Sequence, residues 1–472
     1  MKTHVAVIGA YGSAGIAAVG ELAGYEDIDL TLVDGGRPGG LCILRGCMPS
    51  KEVLSAGAHR FGARHDHRVE GTPEVDLEAV VETKDEHVAD FASHRASLID
   101  TCVERDDATL VEGSAEFVDD TTLEVDGQRI DADYVVVATG SSINVPDTPG
   151  IEDVDYMTSA DVLDATTFPD TGIVMGFGYI GMEMAPYLAE AGGMELTVIE
   201  HDDRPLDEAD SAFGDAALEI YREEFGLDIR TDTHERRLEP AGGGNGVRLE
   251  LDDGDVIEAD QLFCFTGRRP NVDGLSLSAA GLAPEPGWVE ETMQARDNDR
   301  VFVVGDANGK EPILHVAKEQ GMTAAHNIVA DVAGEELTEY ENVHHHVMFS
   351  GLGVYPFARV GHSETSAREA GHDPVVATRE AASDGVFRTK AVPEGLARLV
   401  VARDGTVLGY QGLHYHADVM AKTMQIAVEM ELDVRRIPDR AYHPTTPEIL
   451  DSMIGEATEE LDPHPGRIEE RM

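Results

Sequence analysis

Positive charge is what this sequence has least of. Its 472 residues carry 36 Lys plus Arg against 91 Asp plus Glu, a formal net charge of −55, and only 7 of the cations are Lys. So negative a surface repels phosphate backbones and anionic lipid heads, which argues against nucleic-acid and membrane partners. The acids are interleaved with apolar segments along the whole chain, so a disordered acidic tail does not account for them. A protein kept soluble in a very salty cytoplasm, where dense salt screens the self-repulsion, does. Cysteine is scarce too, and 4 in so long a chain rule out a disulfide-stapled secreted scaffold. No apolar run approaches the length of a membrane span. The opening MKTHVAVIGAYGSAG lacks the separate basic and apolar regions of a secretory signal, so a cytoplasmic location is expected.

What is present is a strand–turn–helix pattern that occurs twice. The length suits two or three domains. The first copy runs from His4–Ile8 through glycines and an Ala-rich helical stretch to Leu30–Val33, ending in Asp34. The second runs from Gly172–Met175 through GFGYIG and a helix reaching Glu190 to Leu196–Ile199, ending in Glu200. Two such units imply parallel sheets covered on both faces. YVVVATG at 134–140, QLFCFTGRRPN at 261–271 and VFVVGD at 301–306 read as further buried strands. From about Asn342 the texture changes to ARLVVARDGTVLGYQGL, strands around an Asp-Gly hairpin turn. GGGNG at 242–246 reads as another hairpin tip. The fold expected is α/β: a dinucleotide-binding domain over 1–147 and 278–338, a second inserted at 148–277, and an α+β domain over 339–472.

Gly176, Gly178 and Gly181 fit G-x-G-x-x-G between a strand and a helix. There the backbone approaches a pyrophosphate and Glu200 accepts the ribose hydroxyls. An acid at that place repels a 2′-phosphate and favours NADH over NADPH, although His201 and Arg204 lie close by. The first copy is irregular: Gly9, Gly12 and Gly15 carry one extra residue relative to the fingerprint, with Asp34 still at the ribose position. Cys42 and Cys47, in GGLCILRGCMPSK at 39–51, are close enough in sequence to form a disulfide if the backbone adjusts, and a helix N-terminus or a cation would make them a reactive dithiol. Two buried thiols, or half of a metal site, are the alternatives. Cys102 and Cys264 are singletons that complete no zinc site, so no metal is expected. His443 in HPTTPE, with Glu448 five residues on, suits an acid–base pair, with a surface loop as the plain alternative. His344–His346 reads as a solvated strand start.

Taken together, these segments resemble the class I pyridine nucleotide–disulfide oxidoreductases, the family of dihydrolipoamide dehydrogenase, glutathione reductase and mercuric reductase. The resemblance covers essentially the whole chain in family order: the glycine loop, Cys-x4-Cys ending in Pro-Ser-Lys, ATG at 138–140, GFGYIGME, TGRRPN, VVGDA at 303–307, LHVAKEQG at 314–321 and HPTTPE. It departs at the first loop, at Asp34 where Glu is commoner, and at FSGLGVYPFARVG, 349–361. It implies two Rossmann-like domains for FAD and NAD(P) and a C-terminal dimerisation domain. FAD is then implied at Gly9, Gly12, Ser13, Ala14, Gly15, Asp34, Lys51, Ala115, Thr139, Gly140, Asp306 and Leu314. The nicotinamide nucleotide is implied at Gly176, Gly178, Tyr179, Ile180, Gly181, Glu183, Glu200 and Gly267, with Lys51 paired to Glu183. Cys42 and Cys47 resemble the interchange and flavin-facing halves of a redox disulfide. His443, given across a homodimer, resembles the proton shuttle, oriented by Glu448.

The substrate implied is a small dithiol or disulfide, first of the dihydrolipoamide dehydrogenase type, with docking in a larger dehydrogenase complex as a further expectation. Reduction of a low-molecular-weight disulfide such as bis-γ-glutamylcystine is the near-equal alternative. No basic residue stands near Gly20 to hold a glutathione carboxylate, and GRIEERM carries no vicinal Cys pair of the mercuric reductase kind. A mercuric reductase-like enzyme, a redox sensor, a structural flavoprotein subunit and an oxidase remain further alternatives.

Overall fold

A computed structural model describes residues 2–242, 246–438 and 443–463. The tip of the GGGNG hairpin and the GRIEERM segment lie outside the described residues. The chain forms two compact units, one of Met1–Ser50, Glu82–Asn144 and Arg268–Asn342, the other of Lys51–Val81, Val145–Gly267 and Val343–Met472. Each is described by itself.

In the first unit a six-stranded sheet is ordered Gln294–Ala295, Asn298–Val303, Tyr134–Val137, Thr3–Ile8, Ile28–Asp34, Ala108–Glu112. All pairings are parallel except at the Gln294–Ala295 edge. Its strands are apolar on both faces, because alternate side chains enter different cores. Val5, Val7, Leu30, Leu32 and Val136 face one core, and Ala6, Ile8, Val33, Val135 and Val137 the other. Each such Val or Leu contributes about 1.5–3 kcal/mol of burial, which a one-residue register slip would forfeit. The helix Ser13–Leu22 lies against Leu314–Ala333 so closely that a Cβ on Gly321 would come within 2.3 Å of the Ala14 carbonyl oxygen.

The second unit repeats the device. Its parallel sheet is ordered Asp228–Arg230, Glu195–Ile199, Thr171–Met175, Gln261–Cys264, Tyr156–Thr158. Cys264 is 2% exposed there, a core residue as expected. A separate antiparallel sheet is ordered His345–Met348, Phe357–Gly361, Val407–Leu413, Leu396–Val401, Val375–Glu380. Its central hairpin turns at Asp404-Gly405, with Gly405 at φ 106°. The α/β class read from the sequence is the fold observed. One expectation needs correction: His346 is not solvated but 7% exposed, because the strand His345–Met348 turns its imidazole inward onto Phe357, Tyr179 and Glu208. Among the described residues, no helix is long and apolar enough to cross a membrane.

Candidate functional site

The first glycine loop is built by close approach. Gly9 has φ +87°, and a Cβ there would stand 2.4 Å from the Ala138 carbonyl oxygen; one on Gly15 would stand 2.2 Å from the Gly9 oxygen. No larger residue fits either position without moving backbone. Gly12, extended at φ −67°, caps the helix Ser13–Leu22 and leaves its first N–H groups open to a ligand. At the end of the next strand the Asp34 carboxylate accepts from Tyr11 N at 2.9 Å and Gly36 N at 2.9 Å.

These elements wall a cavity of about 690 Å³ within the first unit. Gly9, Gly12, Ser13, Ala14, Asp34, Ala115, Thr139, Gly140, Asp306 and Leu314 line it, as do Cys42 and Cys47. Gly15 stands behind the loop rather than in the wall, fixing its shape. Ser141, which the sequence reading passed over beside ATG, donates to Asp306 at 2.5 Å and holds Arg268 through its hydroxyl at 2.9 Å and its carbonyl at 2.6 Å. The cavity fits the dinucleotide the sequence implies on two grounds. Its glycine cradle has no room for a Cβ, and Thr139 Oγ1 is buried in the wall with no hydrogen-bond partner.

Cys42 lies in the short helix Gly40–Leu44, and Cys47 opens the helix Cys47–His65. The turn between them closes through Arg45 N to Leu41 O at 2.9 Å, which brings the two thiols into hydrogen-bond contact. Neither sulfur is in a disulfide; Cys42 is half-buried and Cys47 exposed. The Cys47 thiol, then burial, push the Cys42 thiol far above the ordinary range; the charges of Arg95 and Lys318 act in the opposite direction. The Cys42 proton is therefore hard to remove without a base beside it.

In the second unit, Gly176 (φ +94°) would put a Cβ 2.7 Å from the Phe265 oxygen, at the strand end leading to Thr266 and Gly267, and Gly181 one 2.2 Å from the Gly176 oxygen. Gly178 caps the helix Tyr179–Glu190, which opens with Tyr179 and Ile180 and carries Glu183 at the start of its second turn. Glu200 accepts from Phe177 N at 3.0 Å and Asp202 N at 3.1 Å. His201 is held by Glu235 at 2.5 Å, and Arg204 by Asp203 and Asp215, each at 3.1 Å. The Tyr179 hydroxyl bonds Glu208 and, at 3.2 Å, His346, a latch no local sequence pattern announces. Lys51 meets both Glu183 oxygens at 2.7 and 2.9 Å, the pair that the resemblance implied. His443 Nδ1 lies 3.2 Å from Glu448 Oε2, and Thr445 N donates to Glu448 Oε1 at 2.7 Å. That backbone N–H, then His443, hold the Glu448 carboxyl below the usual carboxylate range.

The family model of the pyridine nucleotide-disulphide oxidoreductases matches residues 3–321, and that of their dimerisation domain residues 347–454. The chain belongs to this family. Membership makes it an enzyme that uses FAD and a pyridine nucleotide and acts on sulfur groups. It is 30% identical to a mercuric reductase of Bacillus cereus over 87% of its own length, spanning 64% of that longer protein. It is 29% identical to a dihydrolipoyl dehydrogenase of Halobacterium salinarum over 98% of both chains. In fold it is similar to LpdA of Mycobacterium tuberculosis, with a TM-score of 0.83 at 20% identity over 96% of this chain and 99% of that one. The HOCl-induced flavoprotein disulfide reductase RclA of Escherichia coli gives 0.81 at 22% identity, with the same coverage.

Proposed function

We propose that this oxidoreductase passes electrons between NADH and a small dithiol or disulfide of the dihydrolipoamide type through Cys42 and Cys47. The observation that carries the reading is the contact of two thiols in the wall of the cavity that the Gly9–Gly15 loop builds. The proposal includes the three-domain partition at 1–147 with 278–338, 148–277 and 339–472. It also includes a cytoplasmic homodimer, supported by the dimerisation-domain match.

In this reading the glycine-loop amides, Asp34, Thr139 and Asp306 hold the flavin dinucleotide. Gly176–Gly181 and Glu200 hold NADH; the carboxylate disfavours a 2′-phosphate, while the nearby His201 is paired with Glu235 and Arg204 with Asp203 and Asp215. FAD, when bound, supplies the two-electron exchange between the nicotinamide and the dithiol. Cys42, its thiol proton taken by His443 of the partner subunit, attacks one sulfur of the substrate disulfide and releases the first thiolate. Cys47 then attacks Cys42, releasing the second and closing a Cys42–Cys47 bond. His443 of the partner subunit gives protons to the leaving thiolates. Glu448 holds its Nδ1–H and leaves Nε2 to exchange them. The reverse sequence oxidises a dithiol.

The test is a panel of lipoamide, oxidised glutathione and mercuric ion with NADH and NADPH, in molar salt. Cys42→Ser is expected to abolish disulfide turnover while NADH still bleaches the flavin. Undiminished turnover in that variant, as an oxidase would show, overturns the assignment. Flavin that is reduced in the unaltered enzyme but passes electrons to no sulfur compound identifies a sensor instead.

A further inference from the structure

Two histidines of one short segment in the second unit, His414 and His416, have different tasks at the start of the helix Ala417–Glu429. His414 is fully buried. Its Nδ1 lies 2.9 Å from the Tyr415 carbonyl oxygen, which can only accept, so that nitrogen carries the proton. Nε2 then accepts from the Tyr410 hydroxyl at 3.0 Å. Burial pushes the His414 pKa down to about 4, which keeps the ring neutral and this arrangement fixed. The peptide that His414 holds is the one that leads into His416.

His416 is an unsuitable residue for its place on two counts. It stands at φ 70° and ψ 19°, the left-handed region where a Cβ is crowded and glycine is free. It is also the N-cap of the helix, where Ser, Thr, Asp or Asn would accept from a free N–H, yet its side chain makes no such bond. The ring is turned elsewhere. Half-buried and stacked on Tyr415 at 3.8 Å, it places Nδ1 3.1 Å from the hydroxyl of Thr446, a residue only 6% exposed. Thr446 belongs to the loop of the acid–base pair. Beside it Thr445 N donates to Glu448 Oε1 at 2.7 Å, and Glu448 Oε2 meets His443 Nδ1 at 3.2 Å. Backbone strain persists where the surroundings hold it, and what this strained turn delivers is an imidazole to the His443–Glu448 loop.

We propose that His416 is a positioning residue for the proton shuttle: through Thr446 it braces the loop that holds Glu448 against His443, and so keeps that imidazole aligned for proton exchange. The inference rests on the disulfide reading above and adds to it a residue that acts through others. The His443 side chain is 79% exposed, so packing does little to orient it and the Glu448 bond must. Glu448 is aimed in turn by the backbone of Thr445, which runs directly into Thr446. Proton transfer is sensitive to alignment, and a displacement of about 1 Å can cost about a hundredfold in rate. A tie from the start of a helix anchored by Ala417, Met420, Ala421 and Met424 limits that displacement.

The test follows the two half-reactions of the flavin-loaded enzyme by stopped flow, with lipoamide as the disulfide. His416→Gly removes the ring and relaxes the backbone; Thr446→Val removes the hydroxyl and Thr446→Ser keeps it. The first two are each expected to slow reoxidation by lipoamide about tenfold, with flavin reduction by NADH and KM for lipoamide unchanged. Thr446→Ser should recover most of the rate. Because both changes cut the same bond, the double variant should be no slower than either single one. The melting temperature of His416→Gly should stay close to that of the unaltered enzyme, since relief of the left-handed strain offsets the lost hydrogen bond. Full exchange rates in both variants, losses that add in the double variant, or equal slowing of flavin reduction overturns the brace. Should His416→Gly not fold, the Thr446 pair gives the same decision. His443→Gln, run beside them, separates the two levels of the argument. If it slows exchange and they do not, only the brace falls; if it too leaves exchange at full rate, the proton route of the disulfide reading fails. An unaltered enzyme inert toward lipoamide overturns that reading and the brace with it.

Discussion

The two glycine loops solve one geometric problem with different numbers of residues. Gly9 and Gly176 both turn at positive φ, +87° and +94°, with a strand carbonyl pressed where a Cβ would sit. Gly12 and Gly178 both cap a helix in extended conformation, and Gly15 and Gly181 each rest 2.2 Å, Cβ position to oxygen, on the first glycine of their own loop. The extra residue of the first loop therefore lies between the turn and the cap, and the helix entry is untouched. The acids compensate for it. With the longer loop, the shorter Asp34 reaches the loop N–H of Tyr11 at 2.9 Å; with the shorter loop, the longer Glu200 reaches that of Phe177 at 3.0 Å. Loop length and side-chain length trade against each other, which a motif read only by spacing misses. Beyond the loops the two sites part: the first opens on the Cys42–Cys47 dithiol, the second on an exposed Tyr179 latched by Glu208 and His346.

The strongest way to break this equivalence is to add a single methyl group to each loop. Gly15→Ala and Gly181→Ala both force a backbone carbonyl aside, and overpacking of that kind costs about 1–3 kcal/mol even where it is absorbed. Gly15→Ala is expected to strip the flavin, read as the ratio of flavin to protein absorbance after gel filtration. Gly181→Ala should retain the flavin and raise KM for NADH. Equal flavin loss in both variants would end the assignment of one loop to each nucleotide.

A second contrast lies between the electron-receiving and electron-delivering half-reactions. His443→Gln should slow thiol–disulfide exchange by about a hundredfold, the size of a lost acid–base group, while flavin reduction by NADH changes far less. Glu448→Gln should follow it more weakly. Because the Glu448 carboxyl is held low, it loses its charge only as the pH falls through that low value. Across neutral pH it is a constant anion, and the pH dependence of exchange there is not its own. Stopped-flow traces of the two half-reactions decide this, and equal slowing of both removes His443 from the proton route.

Much of this architecture was legible in the sequence because it is local. Continuous apolar strands, helices that follow glycines and acids that end the next strand are short-range patterns, and so is the Cys42–Cys47 turn. What escaped depends on residues far apart in the chain. The helix Leu77–Val103 buries few of its residues, Val88, Ala92, Ile99 and Cys102 among its apolar ones, so charged neighbours blur its stripe. Arg95 on that helix gains significance only because Gly12, more than eighty residues away in the chain, folds up against it. His346 looked solvated because nothing near it in the chain shows that Tyr179 and Glu208 await it.

The finest test exchanges the compensating acids. Glu200→Asp withdraws the carboxylate by about one carbon–carbon bond, roughly 1.5 Å, beyond hydrogen-bond reach of Phe177 N, whose present distance is 3.0 Å. A lost bond to a charged group costs about 1.5–3 kcal/mol at most and less where water enters, so KM for NADH should rise by about tenfold. Asp34→Glu errs the other way: its longer arm must bend aside in a wall where Tyr11 is only 7% exposed, loosening the flavin a few-fold by fluorescence titration. If loop length does set acid length, deleting Tyr11 in the Asp34→Glu chain should restore part of the loss, since the pair then matches the second loop. A deletion that deepens the defect would show that the extra residue is fixed by the cavity and not by the acid.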